Sequence, residues 1–197
     1  KKNLLKISKS LKNEQKKYNI SLCGGDTTFS NKLSFTITSL GYSDNIVYRN
    51  KSELNDDIYV TGNLGDSFIG LQILKDKIKV DYKMSKFFIK KYYEPILQLK
   101  LANNLLRLAN TSIDISDGLI DDLKKMINRQ SFSFHIFEEK IPVSKNLSKL
   151  IKAKKFKKIN IVSRGDDYQI LFTANAFKSG IIKKISKITG IKITKIG

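Results

Sequence analysis

The sequence predicts an α+β fold, and three observations carry that prediction. Segments with apolar residues at every second position are interspersed with segments whose apolar residues recur every three to four positions. The two kinds follow one another along the chain with no internal repeat and no low-complexity linker. The content of 41% hydrophobic residues in 197 is enough to bury a substantial core.

In chain order, Leu4, Ile7, Ser8 and Leu11 share one face of an opening helix, and Asn19 to Cys23 reads as a short apolar strand ended by the Gly24-Gly25-Asp26 turn. From Lys32 to Gly41, Leu33, Phe35, Ile37 and Ser39 alternate onto one face, which predicts a half-buried strand. The polar stretch from Asn50 to Asp57 precedes a strand at Ile58 to Thr61. That strand enters a helix through Gly62-Asn63-Leu64-Gly65-Asp66, with Leu64, Phe68 and Leu71 on one side. A further helix from Met84 to Tyr93 must stop ahead of Pro95, because the residue before proline is driven out of helical geometry.

Leu97, Leu101, Leu105 and Leu108 mark the next helix. A strand around Ser112 to Ile115 and a helix bearing Leu119, Leu123, Met126 and Ile127 follow. Phe132, Phe134 and Ile136 alternate as a strand, and Leu147, Leu150 and Ile151 form a short helix. The chain then predicts a strand from Gln169 to Phe172, a helix from Ile181 to Ile188 and a final strand from Ile191 to Ile196. The domain boundary falls near residue 55, dividing the chain into 1–55 and 56–197.

Composition excludes several classes of function. A single cysteine, Cys23, forms no intramolecular disulfide and is expected to be a small buried apolar group. Together with the lone His135 it cannot furnish a tetrahedral zinc site. No 18-residue apolar run and no signal-peptide pattern is present, so a cytoplasmic location without membrane partners is expected. The net charge of +19 would suit a polyanion. Only four basic residues are arginine, however, and lysine is spread throughout the chain, a pattern of compositional drift and a solvated surface that argues against a nucleic-acid partner. The chain begins at Lys1 and not at Met, and is expected to be processed, trimmed or partial.

None of the common nucleotide signatures is present: no Walker loop, no Gly-x-Gly-x-x-Gly and no protein-kinase catalytic loop. Three acidic constellations remain at turns or strand ends. They are Gly24-Gly25-Asp26-Thr27-Thr28, Asp114-Ile115-Ser116-Asp117-Gly118 and Gly165-Asp166-Asp167-Tyr168. Carboxylate oxygens suit a hard cation, and glycines let backbone N–H groups approach phosphate. Alternation puts Asp114 and Ser116 on one face of a strand, with Ile115 in the core. Each constellation also has a plain structural reading. Gly-Gly-Asp is a common turn, Asp117 can cap the helix that begins at Gly118, and Asp121 and Asp122 decorate its first turn.

In order and spacing these blocks resemble the thiamine-monophosphate kinase family. The resemblance rests on Gly24-Gly25-Asp26-Thr27-Thr28, on Val60-Thr61-Gly62-Asn63-Leu64-Gly65-Asp66-Ser67, and on Ile113-Asp114-Ile115-Ser116-Asp117-Gly118-Leu119 with Asp122-Leu123. Gly165-Asp166-Asp167-Tyr168 stands where that family has Gly-Glu-Asp-Tyr, and Gln169 where it has a second Glu. The resemblance implies an enzyme that converts thiamine monophosphate to thiamine diphosphate with ATP and Mg²⁺. It implies the two-domain fold shared with aminoimidazole-ribonucleotide synthetase, the N-terminal domain only partly present, a nucleotide between the domains and a homodimer when complete.

Carried over residue by residue, the resemblance makes Asp26, Asp114 and Asp117 metal ligands, Gly25, Asp26, Arg49 and Ser116 ATP contacts, and Asp166 a substrate contact. It implies further acidic ligands upstream of Lys1 and an aromatic substrate contact beyond Gly197. It also implies direct transfer without a covalent intermediate, because the acceptor is already an ionised phosphate and no general base is required. Two other readings are possible: another ATP-using enzyme of the same superfamily, of the purine-biosynthetic, selenophosphate or hydrogenase-maturation type, or a basic nucleic-acid-binding module.

Overall fold

The computed structural model describes residues 2–197, which divide into two compact units, residues 1–42 and 43–197. The first unit is built on helix α1, Lys2–Tyr18. It ends in Asn19, whose left-handed backbone turns the chain, and Leu22 N–H donates to Gln15 Oε1 at 2.8 Å. Residues 19–42 hold no strand, which corrects both strand expectations at Asn19–Cys23 and Lys32–Gly41. Alternation is present, but strands need neighbours for their N–H and C=O groups, and none pairs with these segments. Leu33, Phe35 and Ile37 are accordingly exposed, as is Cys23, against the expectation that it is buried.

The second unit is organised around an antiparallel sheet ordered β2–β3–β1–β4, in which β1 is Asp57–Thr61, β2 Thr111–Asp114, β3 Ile170–Ala174 and β4 Ile193–Lys195. β1 is buried at every position, because helices cover both faces of the sheet. On one face Ile58, Val60, Ile113 and Leu171 meet Leu119, Leu123 and Met126 of α5, Leu119–Met126. On the other, Tyr59 and Phe172 stack across the ladder with centroids 5.3 Å apart. They pack against Leu101 and Leu108 of α4, Leu99–Leu108, and against Ile182 and Ile185 of α8, Ser179–Thr189.

A separate cluster joins Ile69 of α2 (Asp66–Leu74), Phe88 of α3 (Tyr82–Tyr93), and Leu147 and Leu150 of α6 (Lys145–Lys154). Asp81 caps α3 through the Met84 N–H, and Ser144 caps α6 through the Leu147 N–H. The short helix α7, Lys158–Val162, contributes Ile161 to that cluster and Val162 to the sheet core.

Phe132–Ile136 does not form the expected strand. Phe134 and Ile136 do turn to the core on alternate positions, as the pattern requires, but only Phe137 N–H reaches the sheet edge, at Ile196 O (2.7 Å), and one bond makes no ladder. No described helix is long and apolar enough to cross a membrane.

Candidate functional site

The C-terminal end of β2 and the approach to β3 are paired beyond the regular ladder. Ile115 N–H donates to Gln169 O at 2.8 Å, Tyr168 N–H to Ile115 O at 2.8 Å, and Asp166 N–H to Ser116 O at 2.9 Å. Two acidic blocks some fifty residues apart in sequence thus become one surface, Asp114–Gly118 beside Gly165–Tyr168. Glycine is required for this approach. A Cβ on Gly165 would overlap Ser116 O, and one on Gly118, at φ +125°, would overlap Ser163 O.

Asp166 and Tyr168 both adopt left-handed backbone conformations (φ 68° and 50°), with Asp167 between them turned inward. Burial raises the Tyr168 hydroxyl above its ordinary pKa, and the charges of Asp166, Asp114, Tyr92 and Asp117 add to that effect. Three of the carboxylates singled out by sequence therefore act on one side chain. Asp114 and Asp117 are exposed, and Ser116 and Asp166 are half-buried.

Asp117 does not cap α5. Asp122, whose side chain has no exposed surface, reaches back and accepts through Oδ2 from the N–H groups of Asp117 and Gly118, each at 3.1 Å. Its Oδ1 is paired with Lys125 Nζ at 2.6 Å, and the same ammonium bonds Asp117 Oδ2. Lys125 is held strongly protonated by these two carboxylates, Asp117 first and then Asp122. Asp121, by contrast, lies on the surface and pairs with Lys124 at 3.2 Å. Asp122 does lie in the first helical turn, as expected, and also folds back onto the N–H groups that precede the helix. Spacing alone does not reveal a carboxylate that folds back four and five residues.

A second acidic pair joins two of the sequence blocks, Asp167 of the third constellation and Asp66 of the turn after β1, to neither of which the sequence assigned a role. Asp66 and Asp167 are both buried at the start of α2. Asp167 Oδ2 accepts the Gly65 N–H at 2.8 Å, and Asp66 Oδ1 accepts the Ser144 hydroxyl at 2.7 Å. Burial pushes Asp167 up to about 7, with the charge of Asp66 adding to the rise and the bonds from Gly65 and Ser67 opposing it. Burial likewise lifts Asp66 to about 6, against its bond to Ser144 and the nearby Lys91. The two line a cavity of about 100 Å³ with Ser67, Lys91, Gln98 and Gln169. Gln169, in place of a charged side chain, accepts from Thr61 Oγ1 (2.9 Å) and Gln98 Nε2 (2.8 Å).

Arg49 is exposed, and its neighbour Tyr48 is tied to the opposite end of β2, where Tyr48 O accepts from Thr111 Oγ1 at 2.6 Å and Ser112 N–H at 3.1 Å. Gly25 and Asp26 belong to the first unit, where both are exposed and Asp26 Oδ1 accepts the Thr27 N–H at 2.7 Å. Among the described residues, no three His, Cys, Asp or Glu side chains converge to hold a metal ion. Asp114 and Asp117 are exposed and, with Ser116 between them, offer oxygen donors only, the kind that suits a Mg²⁺ ion that keeps waters and shares phosphate oxygens with its substrate.

No family model matches the chain. Among curated proteins it is 34% identical over 198 residues to the thiamine-monophosphate kinase of Buchnera aphidicola subsp. Acyrthosiphon pisum, covering 98% of this chain and 60% of that protein. It is 36% identical over 170 residues to that of Haemophilus influenzae, covering 85% and 51%. Among solved structures, the thiamine-monophosphate kinase of Stenotrophomonas maltophilia K279a superimposes with a TM-score of 0.69 at 25% identity, over 77% of this chain and 49% of that one. AaThiL complexed with AMPPCP and TMP gives 0.66 at 28% identity, over 77% and 47%. The fold likeness extends to the HypE–HypF complex, at 13% identity and a TM-score of 0.56 over 77% of this chain and 48% of that one. The chain thus spans about half to three-fifths of the length of the relatives it matches.

Proposed function

This chain is a homologue of the thiamine-monophosphate kinases over nearly its whole length, and from that premise we propose that it serves the ATP-dependent phosphorylation of thiamine monophosphate to thiamine diphosphate. The observation that carries the reading is the meeting of Asp114–Gly118 with Gly165–Tyr168 in a chain with this homology. The relative complexed with AMPPCP, an ATP analogue, and TMP supports the pairing of substrates.

In this reading Asp26, Asp114 and Asp117 are ligands of Mg²⁺. Gly25, Ser116 and Arg49 contact ATP, and Asp166 contacts the thiamine phosphate. Bound Mg²⁺ supplies charge neutralisation between two polyanions. The residues themselves bind and orient. The acceptor phosphate is already ionised, so in-line transfer of the γ-phosphoryl group needs neither a general base nor a covalent enzyme intermediate. Residues 1–55 are the remainder of an N-terminal domain and 56–197 a C-terminal domain of the aminoimidazole-ribonucleotide synthetase-like fold, in a protein that forms a homodimer when complete.

The experiment is ADP release with thiamine monophosphate set against aminoimidazole precursors and selenide, in this sequence extended to the length of its relatives. Release dependent on thiamine monophosphate alone is expected. Release driven by another acceptor would move the chain to a different activity of the same fold.

A further inference from the structure

Lys125 stands outside every role assigned so far, yet its ammonium is held by two carboxylates at once. One is Asp122, fully buried and already committed to the N–H groups of Asp117 and Gly118. The other is Asp117, exposed and assigned to Mg²⁺. Asp122 anchors the lysine, because a buried carboxylate keeps any cation within reach. Asp117 is the partner open to solvent, so its contact with the ammonium is the one an arriving ion can reach. A cation arriving at Asp117 and the Lys125 ammonium claim the same carboxylate, and the ammonium keeps Asp122 when it yields.

We propose that Lys125 is a positioning residue that competes with the metal ion for Asp117: it pairs with that carboxylate when no divalent cation is bound and yields it to the cation while keeping Asp122. The inference rests on the metal role given to Asp117 under the proposed function. Lys125 thereby sets the cation affinity of Asp117 and holds that carboxylate beside Ser116 when no cation does. Asp122 acts through Lys125 as well as through the helix start. Lys124, the next residue, already has its own partner in Asp121 and takes no part.

The test is Mn²⁺ binding to this sequence extended to the length of its relatives, followed by the paramagnetic resonance of the free ion, with no nucleotide and no turnover. Lys125→Gln removes the charge yet keeps a donor for Asp122, and Lys125→Met serves as the second neutral variant should the first fold poorly. Either is expected to tighten Mn²⁺ binding roughly three- to thirtyfold. Lys124→Gln is expected to change it less than twofold.

Competition for one carboxylate predicts that the gain disappears when Asp117→Asn is added and persists when Asp114→Asn is added, as a double-mutant cycle reads it. Tightening that survives Asp117→Asn would show that Lys125 acts only as a distant charge, and would overturn the proposal. So would unchanged or weaker binding in both neutral variants. Saturable binding that neither Asp114→Asn nor Asp117→Asn weakens would instead remove the metal role of those aspartates, as would no binding to any form, and the inference would fall with it.

Discussion

Asp122 and Asp167 are acidic residues whose burial sets their roles, and each makes a prediction at its own position. Asp122→Ala takes an acceptor from the Asp117 and Gly118 N–H groups and frees Lys125 from its anchor. The loss is expected on the order of 1–3 kcal/mol of stability in urea denaturation, whereas Asp121→Ala, at the surface, is expected to be near neutral. Asp167 carries a signed pH dependence. Its folded pKa, about 7, lies above its ordinary 3.8, so between those values the native state holds protons that the unfolded chain has released. Stability therefore falls as pH rises through that window, and Asp66, lifted to about 6, acts in the same direction. Asp167→Asn is expected to flatten the decline between pH 4 and 8 by an amount on the order of 2–4 kcal/mol, measured by denaturant midpoints across that range. A slope as steep as that of the unaltered chain would mean that Asp167 is not buried as a carboxylate. Both residues stand in blocks visible in the sequence, but their burial does not. Asp121 beside Asp122, and Asp166 beside Asp167, look alike on paper, and burial comes from what packs over them.

At the scale of elements, the leucine-spaced helices were legible, because a 3.6-residue stripe needs only one apolar surface to pack on. α4 buries Leu101 and Leu108 but leaves Leu105 half-buried and Leu97, ahead of the helix, exposed; α5 buries Leu119, Leu123 and Met126, with Ile127 half-buried just past its end. β1, β2 and β3 were legible too, within a residue or two at their ends. The alternating segment from Lys32 to Gly41 was not, since alternation specifies which side chains share a face but not whether a neighbouring strand exists. α7 went unread because five residues hold less than two turns of pattern. The two acidic blocks were each visible. Their junction was not, because it depends on the N–H groups of Asp166 and Tyr168 donating to Ser116 O and Ile115 O. Gly165→Ala tests that junction. The added methyl overlaps Ser116 O, and the variant is expected to lose roughly 1–3 kcal/mol of stability and most of its Mn²⁺ binding, read by urea midpoints and by the resonance of the free ion. Gly180→Ala, where a Cβ meets nothing, is the matched control.

At the scale of the whole molecule, every core cluster belongs to residues 43–197, while the first unit exposes Phe29, Leu33, Phe35, Ile37 and Leu40. A chain of residues 43–197 is therefore expected to unfold with the same urea midpoint as residues 1–197 and to scatter less light at high concentration, because it lacks the unpaired apolar stretch. A large drop in midpoint would show that the first unit stabilises the second. The functional claim is tested most directly by transfer of labelled γ-phosphate from ATP to thiamine monophosphate, in this sequence extended to the length of its relatives and in its Asp114→Asn and Asp121→Asn variants. The account predicts labelled thiamine diphosphate from the unaltered protein, nearly as much from Asp121→Asn, and at least a roughly hundredfold lower rate from Asp114→Asn. Equal rates in the two variants, or no labelled diphosphate from the unaltered protein, would contradict it.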